Sequence, residues 1–558
     1  MLHKEMIMQH DSITPLSKKT SMLDTTAESV VSQTVQQVVF ELMRTLNMTT
    51  VFGNPGSTEL NFLTNFPEDF SYVLGLHEAS VVGMADGYAQ ATGNAAFVNL
   101  HSAAGVGNAL GNIFTAYRNH TPLVITAGQQ ARSLLPFAPY LGAEQAAQFP
   151  QPYIKWSIEP ARAEDVPLAI AQAYLIAMQH PQGPTFVSIP SDDWDKPAVL
   201  PLLSQSCGHS IPSPDALAEL VEVMSTSQNM ALVVGSDVDR QGGFELAVSV
   251  AEACQAPVWE APNSSRASFP ENHPLFAGFL PAIPEKLSEK LLGYDTIVVI
   301  GAPAFTLHVA GTLSLKKSKI YQLTDDPQYA AQSVATKTLS GNIRDSLQAL
   351  LDKLPTSMTP RSGLDLPVRK PAAEVQGSNP ISIEYVMATL AKYCPEDVVI
   401  VEEAPSHRPA IQRYLPITQP KSFYTMASGG LGYGLPAAVG VALGTQRRTL
   451  CLIGDGSSMY SIQAIWTAVQ HNLPVTVIVL NNTGYGAMRS FSKIMGSTQV
   501  PGLDLPNINF VQLAQSMGCQ AQKVTDYSVL DKVFADTMQA AGSYLLEIMV
   551  DANTGAVY

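Results

Sequence analysis

Short apolar runs rich in β-branched residues alternate along the chain with longer segments whose apolar residues recur at helical spacing. The first pattern predicts buried strands, and the second predicts helices that bury one face. In the first third, we expect strands over 50–52, 72–76, 95–100, 123–127 and 182–190, and helices over 30–47, 78–92 and 106–117. This alternation is typical of a mostly parallel sheet with helices on both faces.

The same alternation returns in the middle and last thirds. We expect strands over 231–235, 296–301, 319–323, 398–401, 449–453, 475–480 and 544–550, and helices over 243–254 and 461–472. Polar, proline-rich connectors at 196–214 and 354–380 separate the blocks. We therefore predict an α/β protein with three domains, over 31–205, 206–370 and 371–558, preceded by a flexible tail at 1–30. The middle domain is expected to be Rossmann-like, but no GxGxxG follows its first strand, so nicotinamide binding has no support.

Composition and charge narrow the function classes. The 558 residues are 46% hydrophobic and 14% charged, which fits a compact globular protein, and a net charge of −15 argues against a nucleic-acid partner. No apolar run is long enough to span a membrane, and the polar first 30 residues contain no apolar signal segment. The five cysteines are scattered without a CxxC motif, which predicts free thiols in a reducing compartment and hence a cytoplasmic enzyme.

The segment 449–489 carries the clearest candidate chemistry. Asp455, in Gly454-Asp455-Gly456-Ser457, follows one predicted strand, and Asn481-Asn482 end the next. The carboxyl ends of neighbouring parallel strands meet at one edge of a sheet, so the carboxylate and the amide are expected to lie close together. Hard oxygen ligands of this kind suit Mg²⁺, and the glycines let backbone N–H groups approach phosphate.

The spacing of this segment, GDG followed after 24 residues by NN, resembles the signature of the thiamine-diphosphate enzyme fold family. The resemblance implies that the first domain binds the cofactor's pyrimidine and the third its diphosphate. It also implies that Asp455, the Asn482 side chain and the Gly484 carbonyl hold Mg²⁺ and the diphosphate. The full set of implied cofactor-binding residues is Glu78, Gly429, Leu431, Gly454, Asp455, Gly456, Ser457 and Tyr485. Leu431 matches the apolar residue that supports the bent cofactor, and Glu78, in LHEASVVGMADGYAQATG, matches the glutamate that activates the aminopyrimidine ring.

Several further segments resemble the benzoylformate decarboxylase family over roughly 35–550. They are VFGNPGSTEL, NLHSAAGVGNALG, ITAGQQAR, PSDDWDK, VIGAPAF and GGLGYGLPAA. Taken alone, four residues would be interpreted as turn, cap, structural or surface residues: Ser57, Glu78, His101 and His308. The resemblance implies that Ser57 orients the substrate and that His101 and His308 transfer protons. The His-His pair of other 2-oxo acid decarboxylases is absent.

The resemblance also implies a substrate pocket, but the chain departs from the family there. The expected pocket residues are Ser57, Tyr140, Leu141, Thr425, Ala487, Met488 and Phe491. Thr425 stands where the family has a phenylalanine, and Pro405 lies in a loop where the family has small hydroxyl residues. A changed pocket can shift the preference among 2-oxo acids.

The expected reaction is therefore the decarboxylation of an aromatic 2-oxo acid with thiamine diphosphate and Mg²⁺ as cofactors. The expected substrate is benzoylformate, the products are benzaldehyde and CO₂, and carboligation is expected as a side activity. A decarboxylase or carboligase of aliphatic or branched 2-oxo acids is the first alternative. The second is a non-catalytic cofactor-binding subunit, which the presence of Glu78, Asp455 and Asn482 disfavours. The resemblance further implies a homotetramer, a dimer of dimers, in which two subunits share each active site.

Overall fold

The computed structural model describes residues 33–204, 208–355, 372–497 and 499–552. The predicted tail at 1–30 and Cys207 lie outside them. The described part of the chain contains three six-stranded sheets in which all strand pairs are parallel. The predicted α/β fold class is therefore confirmed. None of the helices in the described ranges combines the length and apolar character needed to cross a membrane.

The first sheet has the strand order β2-β1-β3-β4-β6-β5. Its central strands β3, β4 and β6 are buried along their whole length, as expected of strands covered on both faces. The elements are α1 (Val35–Thr45), β1 (Thr50–Gly53), α2 (Leu60–Leu63), β2 (Ser71–Leu74), α3 (Glu78–Thr92), β3 (Ala96–Leu100), α4 (Ser102–Arg118), β4 (Leu123–Gln129), β5 (Trp156–Ile158), α5 (Val166–Met178) and β6 (Thr185–Pro190).

The middle sheet has the order β12-β11-β10-β7-β8-β9. Its elements are α6 (Pro214–Thr226), β7 (Met230–Val234), α7 (Ser236–Arg240), α8 (Phe244–Cys254), β8 (Val258–Glu260), β9 (Phe276–Phe279), α9 (Pro284–Leu291), β10 (Thr296–Ile300), β11 (Lys319–Thr324), α10 (Pro327–Ala331), β12 (Lys337–Ser340) and α11 (Ile343–Leu351).

The third sheet has the order β14-β13-β15-β16-β18-β17. Its elements are α12 (Ile383–Tyr393), β13 (Val399–Glu403), α13 (Arg408–Tyr414), β14 (Phe423–Thr425), α14 (Gly434–Thr445), β15 (Thr449–Gly454), α15 (Asp455–Ser458), α16 (Ala464–Gln470), β16 (Val475–Asn481), α17 (Gly486–Ile494), α18 (Phe510–Ser516), β17 (Gln520–Val524), α19 (Leu530–Gln539) and β18 (Tyr544–Met549).

Local pattern located some long elements accurately but predicted no helix for others, such as α5 and α6, each of 13 residues. The predicted helix over 78–92 coincides with α3, whereas the helix expected over 461–472 is shorter and begins at Ala464. A separate turn of helix, α15, precedes it and starts at Asp455, directly after β15. The strands missed in the sequence are short; β17, for example, is mostly exposed, so it lacks the apolar run that marks a buried strand.

Close helix packing joins the first and third domains of the same chain. A Cβ on Gly440 of α14 would lie 1.9 Å from the Met84 carbonyl oxygen of α3, and one on Gly87 would lie 2.2 Å from that of Ala437. Glycine is required at both positions because only a residue without a side chain permits this approach. The contact fixes the helix that begins at Glu78 against the domain that contains Asp455.

Candidate active site

Asp455 and Asn482 meet at the carboxyl edge of the third sheet, as the strand pattern predicts. Asp455 is the first residue of α15, and Asn482 follows β16, which pairs with β15 in register. Both residues are 2% exposed. The backbone N–H of Gly484 donates to Asp455 Oδ2 at 2.7 Å, which links the two loops.

The oxygen atoms of Asp455 and Asn482 suit a hard divalent cation. Asn482 Oδ1 is buried and has no hydrogen-bond partner among the described residues. An orphaned buried oxygen is costly, and a bound cation would satisfy it. Burial raises the pKa of Asp455 to about 6 against the opposing N–H groups of Gly456 and Gly484, and a cation would favour the charged carboxylate.

Backbone rather than side chains fills the surroundings of this pair. A Cβ on Gly456 would lie 2.5 Å from the Tyr485 ring, and Gly484 has φ +156° with the Leu503 carbonyl oxygen 2.2 Å from a Cβ. Side chains are therefore excluded at both glycines. This leaves their backbone groups free to approach a phosphate or a metal.

Arg489 of α17, which the sequence analysis did not identify, fixes the loop after β16. Its Nη1 donates to the Asn482 carbonyl at 3.1 Å, and its Nη2 donates to the Thr483 carbonyl at 2.9 Å and to Asp504 at 2.6 Å. Arg489 therefore fixes the loop that carries Asn482 and Thr483.

A cavity of about 1090 Å³ opens beside this loop. Its volume is at the upper end of the range for ligand pockets. Twelve of the residues predicted for the site line it: His308, Gly429, Leu431, Gly454, Asp455, Gly456, Ser457, Asn482, Gly484, Tyr485, Ala487 and Met488.

Glu403 at the end of β13 holds the turn that carries Leu431. Its carboxyl group accepts from the backbone N–H of Gly432 at 2.7 Å and from that of Gly434. Burial raises the pKa of Glu403 to about 8, although these N–H groups oppose the shift. From the first domain, Asn112 Nδ2 donates to the Gly432 carbonyl at 3.2 Å. The position of Leu431 therefore depends on two domains.

A second cluster lies at the carboxyl edge of the first sheet. His101 Nδ1 is 3.0 Å from both Glu59 Oε2 and Thr58 Oγ1. A carboxylate only accepts hydrogen bonds, so the contact favours the proton on Nδ1 and leaves Nε2 as the acceptor. Glu59 is 1% exposed and also accepts from the backbone N–H of Gly56 at 2.8 Å and of Gly128 at 3.1 Å. Glu59 was not identified from the sequence, although it lies only two residues after Ser57.

Ser57 and Glu78 lie in the first domain with His101. Ser57 is exposed at the start of a short 3-10 turn. Glu78 is the first residue of α3 and is partly exposed, and Asn108 Nδ2 donates to its Oε2 at 3.0 Å. None of Ser57, Glu78 and His101 lines the 1090 Å³ cavity. Within one chain, the predicted catalytic residues thus form two separate groups.

The other predicted pocket residues lie in different surroundings. Tyr140 is 88% exposed, and the Leu141 carbonyl accepts from Ser102 Oγ at 2.6 Å. Phe491 packs against His308, with ring centroids 5.0 Å apart. Thr425 is 1% exposed, is absent from the cavity lining, and bonds to Glu402 Oε2 at 3.0 Å.

His407 lines the cavity and was not identified from the sequence. It is 2% exposed, and neither ring nitrogen has a hydrogen-bond partner in the described part of the chain. Burial lowers the pKa of His407 from 6.5 to about 4. The unfolded chain therefore takes up a proton below pH 6.5 that the folded chain resists until about pH 4. His407 thus opposes folding increasingly as the pH falls through this window.

We expect His407→Leu to become more stable than the unchanged protein as the pH falls. At pH 5 the difference should approach about 2 kcal/mol in favour of the variant, because the unfolded state no longer gains a proton. The measurement is Tm for both proteins at pH 7.5 and pH 5, with the exposed His209→Gln as control. A pH-independent difference in Tm would contradict the burial of a neutral imidazole.

Comparison with known proteins gives consistent matches over the whole described fold. The chain matches the thiamine pyrophosphate enzyme N-terminal TPP-binding domain over 33–151, the central domain over 217–350 and the C-terminal TPP-binding domain over 404–548. It is 42% identical to benzoylformate decarboxylase of Pseudomonas aeruginosa, over 92% of this chain and 98% of that protein.

Two solved structures show the same architecture. Benzoylformate decarboxylase from Polynucleobacter necessarius matches with a TM-score of 0.91 at 40% identity, over 94% of this chain and 99% of that chain. The thiamine diphosphate-dependent 4-hydroxybenzoylformate decarboxylase of Rhodococcus jostii RHA1 matches with a TM-score of 0.89 at 39% identity, over 94% and 100%.

Proposed function

Because the chain belongs to the benzoylformate decarboxylase family of thiamine pyrophosphate enzymes, we propose that it decarboxylates an aromatic 2-oxo acid. The proposed preferred substrate is benzoylformate, which yields benzaldehyde and CO₂. The observation that carries the proposal is the buried, unpartnered Asn482 oxygen beside Asp455, in a cavity that His308 also lines. This arrangement offers a metal-diphosphate anchor and a proton-transfer group on one surface. The relatives are named for benzoylformate and 4-hydroxybenzoylformate, both aryl 2-oxo acids, which supports the aromatic class.

The residues present fit thiamine diphosphate with Mg²⁺. Asp455, Asn482 and the Gly484 carbonyl would hold the metal and the diphosphate, while Leu431 would support the cofactor and Glu78 would hydrogen-bond its aminopyrimidine. When bound, the cofactor supplies a nucleophilic carbon and an electron sink for the loss of CO₂. The residues named above would position this group.

The side chains of this chain provide orientation and proton transfer. Ser57 would donate a hydrogen bond to the substrate carboxylate or carbonyl. His101, whose Nδ1 is held by Glu59 and Thr58, keeps Nε2 for accepting or returning a proton. His308, packed on Phe491 at the cavity, would serve the second transfer.

We further propose that two subunits complete each site. Ser57, Glu78 and His101 do not line the cavity of Asp455 and Asn482 in the same chain. Apolar side chains near both groups are also exposed: Leu60, Leu76 and Phe149 in the first domain, and Met459, Tyr460 and Met488 in the third. A homotetramer built as a dimer of dimers would cover these side chains and join the two groups across a subunit interface. The free thiols of Cys394, Cys451 and Cys519 agree with the proposed cytoplasmic location.

The test is aldehyde formation from benzoylformate, pyruvate and a branched 2-oxo acid, each with and without added thiamine diphosphate and Mg²⁺. We expect benzaldehyde to form fastest and only with the cofactor present, with hydroxyketone as a minor product. A faster reaction of an aliphatic acid would replace the substrate but keep the reaction. Bound cofactor without aldehyde or hydroxyketone from any acid would point to the non-catalytic alternative.

A further inference from the structure

Arg408, the first residue of α13, places a cation in the wall of the 1090 Å³ cavity. Its side chain is 21% exposed, whereas the carboxylate of its partner Glu402 is fully buried. This ion pair occupies the region around Thr425, where the resemblance leads one to expect an aromatic ring. The wall therefore differs in chemistry, and not only in size, from the pocket expected from the sequence.

Three hydrogen bonds hold the guanidinium group in one orientation. Nε donates to Glu402 Oε2 at 3.0 Å, and Nη2 donates to Glu402 and to Thr425 Oγ1, the latter at 2.7 Å. Glu402 is itself held, because its Oε1 accepts from the Ala404 backbone N–H at 2.6 Å. A planar group fixed on one side presents its remaining donors in a fixed direction, which is the condition for specific recognition.

The hydrogen bonds of Arg408 with the described residues all come from Nε and Nη2, and Nη1 takes part in none of them. The lining of the cavity is mixed: Ala404, Ile411, Leu415, Ile417 and Phe423 contribute apolar surface, and Glu271 and Lys286 contribute charged groups. An N–H donor without a protein acceptor pairs with water or with an acceptor that a ligand brings. Because Glu402 already balances the charge of Arg408, a neutral oxygen fits this position better than a second carboxylate, which would also face Glu402.

We propose that Arg408 is a specificity-determining residue that donates a hydrogen bond from Nη1 to a hydroxyl oxygen on the aryl ring of the substrate. The inference rests on the proposed function and deepens it, since it names hydroxylated aryl 2-oxo acids as the preferred substrate class. Thr425 and Glu402 act as positioning residues for this donor. The role of Thr425 is thus to orient Arg408 rather than to contact the substrate.

The test compares kcat/KM for benzoylformate, 4-hydroxybenzoylformate and 4-methylbenzoylformate in the cofactor-loaded protein. In the unchanged protein, we expect the 4-hydroxy acid to exceed the 4-methyl acid by about 10-fold or more, because a site built to pair a hydroxyl rejects its analogue. Arg408→Gln should reduce that ratio by about 10-fold while changing the benzoylformate value much less. Arg413→Gln, on the same helix but absent from the cavity lining, is the matched control.

A second variant guards against misfolding, because Arg408→Gln leaves the Glu402 carboxylate buried without its cation. The double variant Glu402→Gln/Arg408→Gln removes both charges, and its Tm shows whether the fold is kept. As a readout without turnover, the dissociation constants of 4-hydroxybenzaldehyde and 4-methylbenzaldehyde are measured by calorimetry. The double variant should lose the preference for the hydroxylated aldehyde.

The outcomes separate this inference from the proposed function. An equal loss on all three acids would mean that Arg408 binds the carboxylate common to them, and an unchanged ratio would mean that it touches no ring substituent; either result overturns the inference while the decarboxylase assignment stands. Absence of aldehyde from every aryl acid, together with equal binding of the two aldehydes, would overturn both.

Discussion

Replacing Glu78 by glutamine is expected to lower kcat by about 10²- to 10⁴-fold, the range for a positioned proton-handling group. The variant keeps the shape and the hydrogen-bonding capacity of the side chain but loses the carboxylate charge that would activate the aminopyrimidine. Glu78 lies at the start of a well-packed helix and is partly exposed, so the fold should tolerate the change. The measurement is kcat for benzoylformate at saturating thiamine diphosphate and Mg²⁺.

Two controls separate activation from folding in the Glu78 experiment. Glu68→Gln removes an exposed carboxylate from the same domain and should leave kcat unchanged. The thermal stabilisation of Glu78→Gln by cofactor and Mg²⁺ should remain, because the proposed metal and diphosphate ligands, Asp455 and Asn482, lie in the other group of residues. A kcat within about threefold of the unchanged protein would remove Glu78 from the catalytic set.

Replacing Asp455 by alanine is expected to abolish productive cofactor binding. It removes the carboxylate next to the orphaned Asn482 oxygen and the acceptor for the Gly484 N–H. Substituting a residue that hydrogen-bonds to a metal ligand already lowers metal affinity by about 10- to 100-fold. Losing a proposed direct ligand should therefore lower Mg²⁺ affinity by at least about 100-fold. At a ligand concentration of 100 times the dissociation constant, ligand binding raises the free energy of unfolding of the unchanged protein by about 2.7 kcal/mol. The variant should lose the corresponding rise in Tm.

The variant Asp455→Asn distinguishes charge from shape. Its amide oxygen can still accept from the Gly484 N–H, so the loop is retained while the negative charge is lost. We expect Asp455→Asn to keep the Tm of the cofactor-free protein but to require much more Mg²⁺ for activity and for thermal stabilisation. An undiminished Mg²⁺ response in both variants would show that the metal lies elsewhere.

The parts of this protein that depend on local pattern and on the geometry of parallel sheets can be derived from the residues alone. Buried strands such as β15 and β16 are continuous apolar runs, and the direction of parallel strands brings Asp455 and Asn482 to one edge. The helix that starts at Glu78 was located to the residue, and its end is marked by Gly93, whose φ is +72°. Family membership followed from motifs of the same local kind.

Which side chains act together is set by the folded arrangement and became known only from the structure. The contact of Glu59 with His101, and that of Glu402 with Arg408 and Thr425, join residues from separate strands and loops. The clamp of Arg489 on the Asn482 and Thr483 carbonyls depends on how α17 turns back on the loop. Hydrogen-bond partners of this kind are selected by distance and direction in the folded chain, and residue spacing encodes neither. The absence of Ser57, Glu78 and His101 from the cavity that Asp455 lines likewise depends on how the domains pack.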